Sequence, residues 1–312
     1  VDYTHDALSE QIRGFNRRLV EKLWDLGCDL FFNEQLSHHV SFRLGGSVPL
    51  FIIPSSMEGF LDTLRLLKEY EVPFRIIGKG TNIIPTDDEK DFAVISTERI
   101  DSIEIHDELI NVSAGMSFKT LCLIALEHSL SGLERAFGLP GSVGGAVYMN
   151  AGCYGWEMAQ NVVSLKVFDG KNVITISPSE AQFGYRDSIF KHEKSLIIIS
   201  AVLKLAKGNK ESIREIMIDT MRKRYEKQPL EYPSAGSVFK RPRPDFYVGT
   251  AIESLGLKGY QIGGAQVSEK HAGFIINRGN AKASDVLKLI NFIKGKVKEY
   301  YGVELETEVE IW

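Results

Sequence analysis

Leu139-Pro140-Gly141-Ser142-Val143-Gly144-Gly145-Ala146-Val147-Tyr148-Met149-Asn150-Ala151-Gly152 is the most informative stretch of the chain, with four glycines, one proline and no charged residue. A plain turn needs far fewer residues. Glycine has no Cβ to hold a neighbour away, so a segment this small and apolar lets a broad flat ligand lie against backbone. Ser142 and Asn150 are then its polar contacts. A packed loop between two domains is the competing reading.

The same residue type marks the rest of the chain. Of its 28 glycines in 312 residues, 17 fall in clusters at Gly45-Gly46, Gly78-Lys79-Gly80, Gly138 to Gly155, Gly236, Gly256 to Gly264 and Gly273 to Gly279, each beside an apolar strand-like run. Such placement suggests a binding surface built from loop backbone. Gly78-Lys79-Gly80-Thr81-Asn82 follows the strand candidate Arg75 to Ile77 and can offer backbone N–H groups and the Thr81 hydroxyl to a phosphate. It is neither a Walker loop nor a complete dinucleotide fingerprint, and a tight turn is its other reading.

Composition narrows the class. With 44% apolar and 25% charged residues the chain is globular, long enough for two or three domains. Its 37 Lys and Arg against 41 Asp and Glu give a net charge of −4, without the basic excess of a nucleic-acid-binding surface. No apolar run is long enough to cross a bilayer and the first residues are too polar for a signal peptide, so a cytoplasmic protein is expected. Cys28, Cys122 and Cys153 are too scattered for a disulfide framework, and the histidines lack ligand spacing, so no metal is expected.

Helical spacing of Leu19, Val20, Leu23 and Leu26, closed by Gly27, marks an N-terminal helical segment within residues 1–31. From 32 to 208 the chain alternates short strands with two helices, one over about 57–70 and one from a Ser117 cap to about Ser129 with Leu121, Ile124 and Ala125 inward. Val162 to Phe168 turns at Asp169-Gly170 into Val173 to Ile176, as a two-residue hairpin would. Ser195 to Leu205 is a long strand. The polar stretch Lys207 to Lys210 reads as a linker, placing residues 209–312 in a C-terminal α/β domain. That domain opens with a helix over about 211–227, with Ile213, Ile216, Met217 and Met221 inward. It closes with a helix capped by Ser284, with Val286, Ile290, Ile293, Val297 and Tyr300 in phase, and an alternating strand Val303 to Ile311. The fold class is α+β.

Three further motifs carry polar residues among small ones. Tyr185-Arg186-Asp187-Ser188 sets an arginine between an aromatic and an acid, a pattern also met in plain surface pairs. Ser234-Ala235-Gly236-Ser237 puts a serine on a small-residue turn without a hydrolase elbow. Glu304, Glu306, Glu308 and Glu310 alternate with apolar residues, which by itself describes a solvated strand face.

Taken in order, the Gly78–Asn82 loop, the Pro140–Gly152 segment, Tyr185 to Ser188, Ser234 to Ser237, Gly259-Tyr260-Gln261-Ile262-Gly263-Gly264-Ala265 and Glu308-Val309 make the chain resemble the UDP-N-acetylenolpyruvoylglucosamine reductase family, over about 32–312. Its last third is similar to the shorter, type II members. Val40, Pro85, Arg241 and Thr307 depart from the family pattern. The resemblance implies an FAD-binding domain of the vanillyl-alcohol-oxidase (PCMH) type, with two subdomains, and a C-terminal substrate-binding domain. It also implies non-covalent FAD, NADPH as co-substrate, a nucleotide-sugar substrate, and no nucleic-acid, membrane or obligate protein partner. The implied reaction reduces an enolpyruvyl ether in peptidoglycan precursor synthesis, with hydride from reduced FAD to C3 and a proton to C2. By the same resemblance Arg186, Ser237 and Glu308 are catalytic. Gly78, Lys79, Gly80, Thr81, Asn82, Gly141, Ser142, Gly144, Gly145, Ala146 and Asn150 contact the cofactor, and Tyr185, Lys227, Lys240 and Gln261 contact the substrate. An oxidase of small alcohols on the same fold, or a flavin-binding module without turnover, are the rivals. Neither needs a nucleotide-sugar site.

Overall fold

The computed structural model describes residues 15–312, so the first part of the expected N-terminal segment lies outside the described residues. The helix Arg17–Asp25 starts at Asn16, whose side chain accepts from Arg18 N. It buries Leu19, Val20 and Leu23. Leu19 and Leu23 share a core with Phe60, Leu64 and Leu67 of the helix Met57–Glu69, so this N-terminal helix is part of the first layer and not an appendage.

That layer is a four-stranded sheet in the order Asp29–Gln35, Ser47–Ile53, Ala93–Ser96, Phe74–Ile77, antiparallel at the first pair and parallel at the other two. Both faces of Ser47–Ile53 are covered. Leu50 and Ile52 join the core under the two helices, while Phe51 and Ile53 join a core shared with the C-terminal part. Double burial explains why the strand is a continuous apolar run and does not alternate.

A second, antiparallel sheet runs Val173–Ile176, Val162–Phe168, Ile197–Lys204, Leu109–Ser113, Ile103–His106. The hairpin at its edge differs from expectation. Phe168 pairs with Val173 and Asp169 N still bonds Asn172 O at 3.0 Å, while the Asp169 carboxylate accepts from Lys171 N at 2.8 Å and Asn172 N at 2.7 Å, so the tip is Gly170-Lys171 held by an Asx turn and not Asp169-Gly170.

The helices Phe118–Glu127 and Val143–Tyr148 close the core of this sheet, and so does Lys210–Lys227. Ile213 and Met217 of that last helix are buried there, whereas Ile216 is exposed and Met221 half-buried; in Phe118–Glu127, Ile124 is likewise only half-buried. The stretch 207–210 is therefore no linker: Gly208 N bonds Ser129 O at 2.8 Å and Asn209 caps the helix. On packing, the chain leaves the second core after Lys227, where Gln228 turns extended ahead of Pro229.

The remaining residues form a third sheet, Ser234–Ser237, Phe274–Asn277, Ala265–Val267, Gln261–Ile262, backed by the helix Ala283–Tyr301. This helix buries Val286, Leu289, Ile290, Ile293 and Val297, but Tyr300 is exposed. Ser284 is not its cap. Lys282 occupies that position, and the free N–H groups of Ala283 and Ser284 are met at 2.7 and 2.9 Å by the Asp87 carboxylate from the first layer. Nor is 303–311 one strand. Val303 and Leu305 are buried between solvated Glu304 and Glu306, Thr307 bridges Phe239, and only Glu310–Ile311 forms a ladder, parallel to Ile83–Ile84.

Among the side chains that tie the C-terminal part to the first layer are Asp87 at the helix start and buried Asn277, whose Nδ2 donates to Phe42 O at 3.1 Å. The N–H groups held by Asp87 keep its carboxyl below the ordinary range, against the opposing effect of partial burial. Its contribution to stability is present at neutral pH and lost as pH falls through that lowered pKa. Asp87→Ala is expected to cost about 1 kcal/mol in urea unfolding at pH 7. The difference from the parent protein should shrink on acidification below the carboxylate range.

Candidate active site

The strand Phe74–Ile77 ends in the Gly78–Asn82 loop. Among the described residues, no backbone N–H of Lys79, Gly80, Thr81 or Asn82 has a protein acceptor. Gly80 makes the turn at φ +60°, and a Cβ there would lie 2.1 Å from His39 O. The loop is held from behind, by Ser41 N to Gly80 O at 3.0 Å and Asn82 Nδ2 to Glu308 O at 3.1 Å. A row of unsatisfied donors fixed in this way is an anion nest.

Facing it, the glycine-rich segment is a helix, Val143–Tyr148, and not an open loop. Ser142 is its N-cap, with Oγ accepting from Gly145 N at 3.2 Å. Gly144 N bonds Ala114 O at 2.7 Å, so Gly144 and Gly145 do not offer N–H groups to a ligand. Their use is close approach: a Cβ on Gly144 would sit 2.9 Å from that of Ala114, and one on Gly78 would sit 2.2 Å from Ser142 Oγ. Asn150 is buried and does not line the cavity. Its Nδ2 donates to Gly184 O at 2.8 Å and its Oδ1 accepts from Ala159 N at 3.0 Å, so it braces the glycine segment against the loop carrying Arg186.

Arg186 takes φ +54°. Its Nη2 donates to Gly152 O at 2.6 Å, and a Cβ on Gly152 would come within 2.9 Å of Nη1. Nε lies 3.0 Å from Glu308 Oε1, yet the N–H does not point along that line, and this buried donor has no hydrogen-bond partner. The contact is a buried ion pair whose Nε is sealed from solvent. Burial pushes the Glu308 carboxyl above its ordinary value, opposed by the charges of Arg186, Lys191 and Lys240. Glu308 N bonds Val238 O at 2.7 Å, which puts Glu308 beside the strand that ends at Ser237. The turn into Ser237 has Gly236 at φ +79°, with open space where a Cβ would be.

These residues meet in one cavity of about 1700 Å³. Gly78 to Asn82, Gly141, Ser142, Gly144 to Ala146, Tyr185, Arg186, Lys227, Ser237 and Glu308 all line it. Lys240 and Gln261 do not: Lys240 Nζ lies 3.4 Å from a Glu306 oxygen, and Gln261 is exposed with Nε2 donating to Gly263 O at 2.7 Å. Tyr185 reaches across the cavity to the C-terminal part, its hydroxyl accepting from Arg241 N at 3.2 Å.

Arg224 escaped the sequence reading. It is buried on the cavity wall, with Nε donating to Phe137 O at 3.1 Å and Nη2 directed at Cys153 Sγ at 3.0 Å. The signal was available, since Arg224 follows Ile213 and Met217 on the inward helix face, where a charge needs partners. Burial pushes the Cys153 thiol up, away from the thiolate that covalent attachment would use. Among the described residues, no three His, Cys, Asp or Glu stand close enough to hold a metal, and no helix is long and apolar enough to cross a membrane.

An anion nest, a glycine-rich helix start packed close to it and a buried Arg–Glu pair thus meet in one cavity of an α+β fold. The FAD binding domain model matches residues 48–176, and the model for the C-terminal domain of UDP-N-acetylenolpyruvoylglucosamine reductase matches residues 228–312. The chain is 66% identical to the UDP-N-acetylenolpyruvoylglucosamine reductase of Fervidobacterium nodosum, over 95% of this chain and 96% of that one. It is 54% identical to that of Thermotoga maritima, over 89% and 97%. The crystal structure of the reductase from Thermus caldophilus superposes with a TM-score of 0.76 at 32% identity, over 91% of this chain and 98% of that chain.

The chain belongs to the UDP-N-acetylenolpyruvoylglucosamine reductase family. It is an FAD-dependent oxidoreductase of peptidoglycan precursor synthesis, which removes the oxidase and the inert flavin-binding readings. The residues fit the cofactor: the unsatisfied N–H groups of Lys79 to Asn82 suit its pyrophosphate, and the Gly141–Ala146 face leaves room for a flat ring. Gly80→Ala places a methyl group against His39 O at a positive φ. It is expected to yield protein with little flavin absorbance per mole, while Lys79→Ala, which keeps the backbone donors, retains most of it.

Proposed function

We propose that the cavity holds FAD along Lys79–Asn82 and Gly141–Ala146, and the nucleotide sugar against Ser237, Tyr185 and Lys227, with NADPH as reductant. When bound, FAD supplies the hydride chemistry, taking a hydride from NADPH and delivering one to C3 of the enolpyruvyl group. The chain's own residues then have two tasks, to stabilise the negative charge that grows on the enolpyruvyl carboxylate and to place one proton on C2.

Arg186 performs the first. Its guanidinium is fixed by Gly152 O and by the Glu308 carboxylate, so a cationic fork stands in place before charge develops. A planar fork suits a carboxylate becoming an enediolate better than an ammonium does. Glu308 orients that fork, and its raised pKa lets the carboxyl also carry a proton closer to neutrality than an ordinary glutamate. Ser237 performs the second task, with its hydroxyl as donor to C2. A free serine is a weak acid, so this step relies on placement at hydrogen-bond distance.

The observation that carries this reading is the meeting, in one cavity, of the Arg186–Glu308 pair with Ser237, joined by Glu308 N to Val238 O. With a net charge of −4, the substrate diphosphate is held by local cations, Lys227 among them. Ser237→Ala should leave reduction of the flavin by NADPH intact and slow its reoxidation by the nucleotide sugar by about 10²–10⁴-fold in stopped-flow. Reoxidation at the parent rate would remove Ser237 from the proton transfer. Arg186→Lys should lower kcat more than it raises KM, because the lost contact is strongest in the transition state.

A further inference from the structure

His271 stands on the cavity wall contributed by the C-terminal part, and nothing above gives it a task. Its surroundings fix the ring. Ser268 Oγ accepts from Lys270 N at 3.1 Å and His271 N at 3.2 Å, setting the turn that carries it. The ring packs edge-on against Phe274, centroids 4.9 Å apart. Two glycines make room for it, since a Cβ would come within 3.2 Å of Cε1 at Gly249 and 3.0 Å at Gly273.

The tautomer is fixed as well. Nδ1 accepts from Gly273 N at 3.1 Å, so in the neutral ring the proton resides on Nε2. Burial pushes the imidazole pKa down, which keeps the ring neutral at physiological pH. Nε2 has no protein partner, yet it is not among the buried atoms sealed without one, which for the described residues are Asn111 Oδ1 and Arg186 Nε alone. A held ring on the cavity wall thus presents one free donor. Its loop is coupled to the reacting centre, because Gly273 O accepts from Val238 N at 3.0 Å, next to Ser237.

We infer that His271 is a substrate-positioning residue whose Nε2–H donates to an acceptor oxygen of the nucleotide sugar. The inference rests on the reading that this cavity takes that substrate. A neutral donor on a rigid loop suits a sugar or phosphate oxygen, orienting the substrate without adding charge beside the Arg186–Glu308 pair.

The test compares His271→Gln, His271→Asn and His271→Ala in the FAD-loaded enzyme. It records KM for the nucleotide sugar, kcat, flavin content and the rate of flavin reduction by NADPH. Glutamine can place an N–H near the Nε2 position, whereas asparagine can replace only the Nδ1 acceptor for Gly273 N. Loss of one substrate hydrogen bond predicts KM raised about tenfold in the Asn and Ala variants, with the Gln variant within about threefold of the parent. Flavin content and flavin reduction should stay at parent values in all three. Rescue by Asn and not by Gln would show that the Gly273 contact is what matters and overturn the proposal, as would parent-like KM in all three. If the Ala variant fails to fold, the Asn and Gln pair still decides. Failure of the parent itself to oxidise NADPH with the nucleotide sugar would instead overturn the underlying reading.

Discussion

The ion pair between Arg186 and Glu308 is the constraint on which the site depends. Arg186 comes from the part of the chain built on the second sheet, and Glu308 from the tail of the C-terminal part, so the pair exists only when the two are docked. Burying a carboxylate is costly unless a cation meets it, and removing one partner strands the other charge. The docking is correspondingly well determined: Asn82 Nδ2 holds Glu308 O, Ser41 Oγ donates to Ser234 O at 2.6 Å, and Glu310–Ile311 pairs with Ile83–Ile84. Each contact runs from the nucleotide-nest side of the cavity to the side that presents Ser237. The hydroxyl, the guanidinium and the nest are thus positioned by one set of interdomain bonds.

Glycine placement made the nest side of the cavity legible in the sequence. Gly78 and Gly144 are required by close approach, and Gly80 by both its φ and its proximity to His39 O, which are demands that only this residue type meets. What the glycines could not convey was secondary structure. A pair of glycines lowers helix propensity, yet Val143–Tyr148 is helical because Ser142 caps it and Val143, Ala146 and Val147 are buried in the second core. Asn150 shows the opposite error of reading. A polar residue in an apolar segment suggested a ligand contact, but asparagine tolerates its φ of +41° and its amide satisfies two loops instead.

The side that carries Glu308 was less legible. By alternation alone Glu308 is indistinguishable from Glu304 and Glu306; only the resemblance singled it out. The structure supplies the reason, since the tail is tied to Phe239 at Thr307 and then returns to the first layer, turning Glu308 inward while its neighbours stay solvated. The polar stretch at 207–210 misled in a similar way. It marks a change of element, but which core the following helix joins depends on tertiary partners for Ile213 and Met217 that no local pattern contains. Lys240 and Gln261 sit close in sequence to glycine-rich motifs and still do not line the cavity, because side-chain direction depends on a register that sequence spacing does not fix.

Anaerobic titration of the FAD-loaded parent enzyme tests the central claim most directly. NADPH should bleach the visible flavin band, and UDP-N-acetylenolpyruvoylglucosamine added without oxygen should restore it, with one equivalent of the reduced lactyl ether formed per flavin reoxidised. A band that bleaches but does not recover on adding the nucleotide sugar would contradict the account.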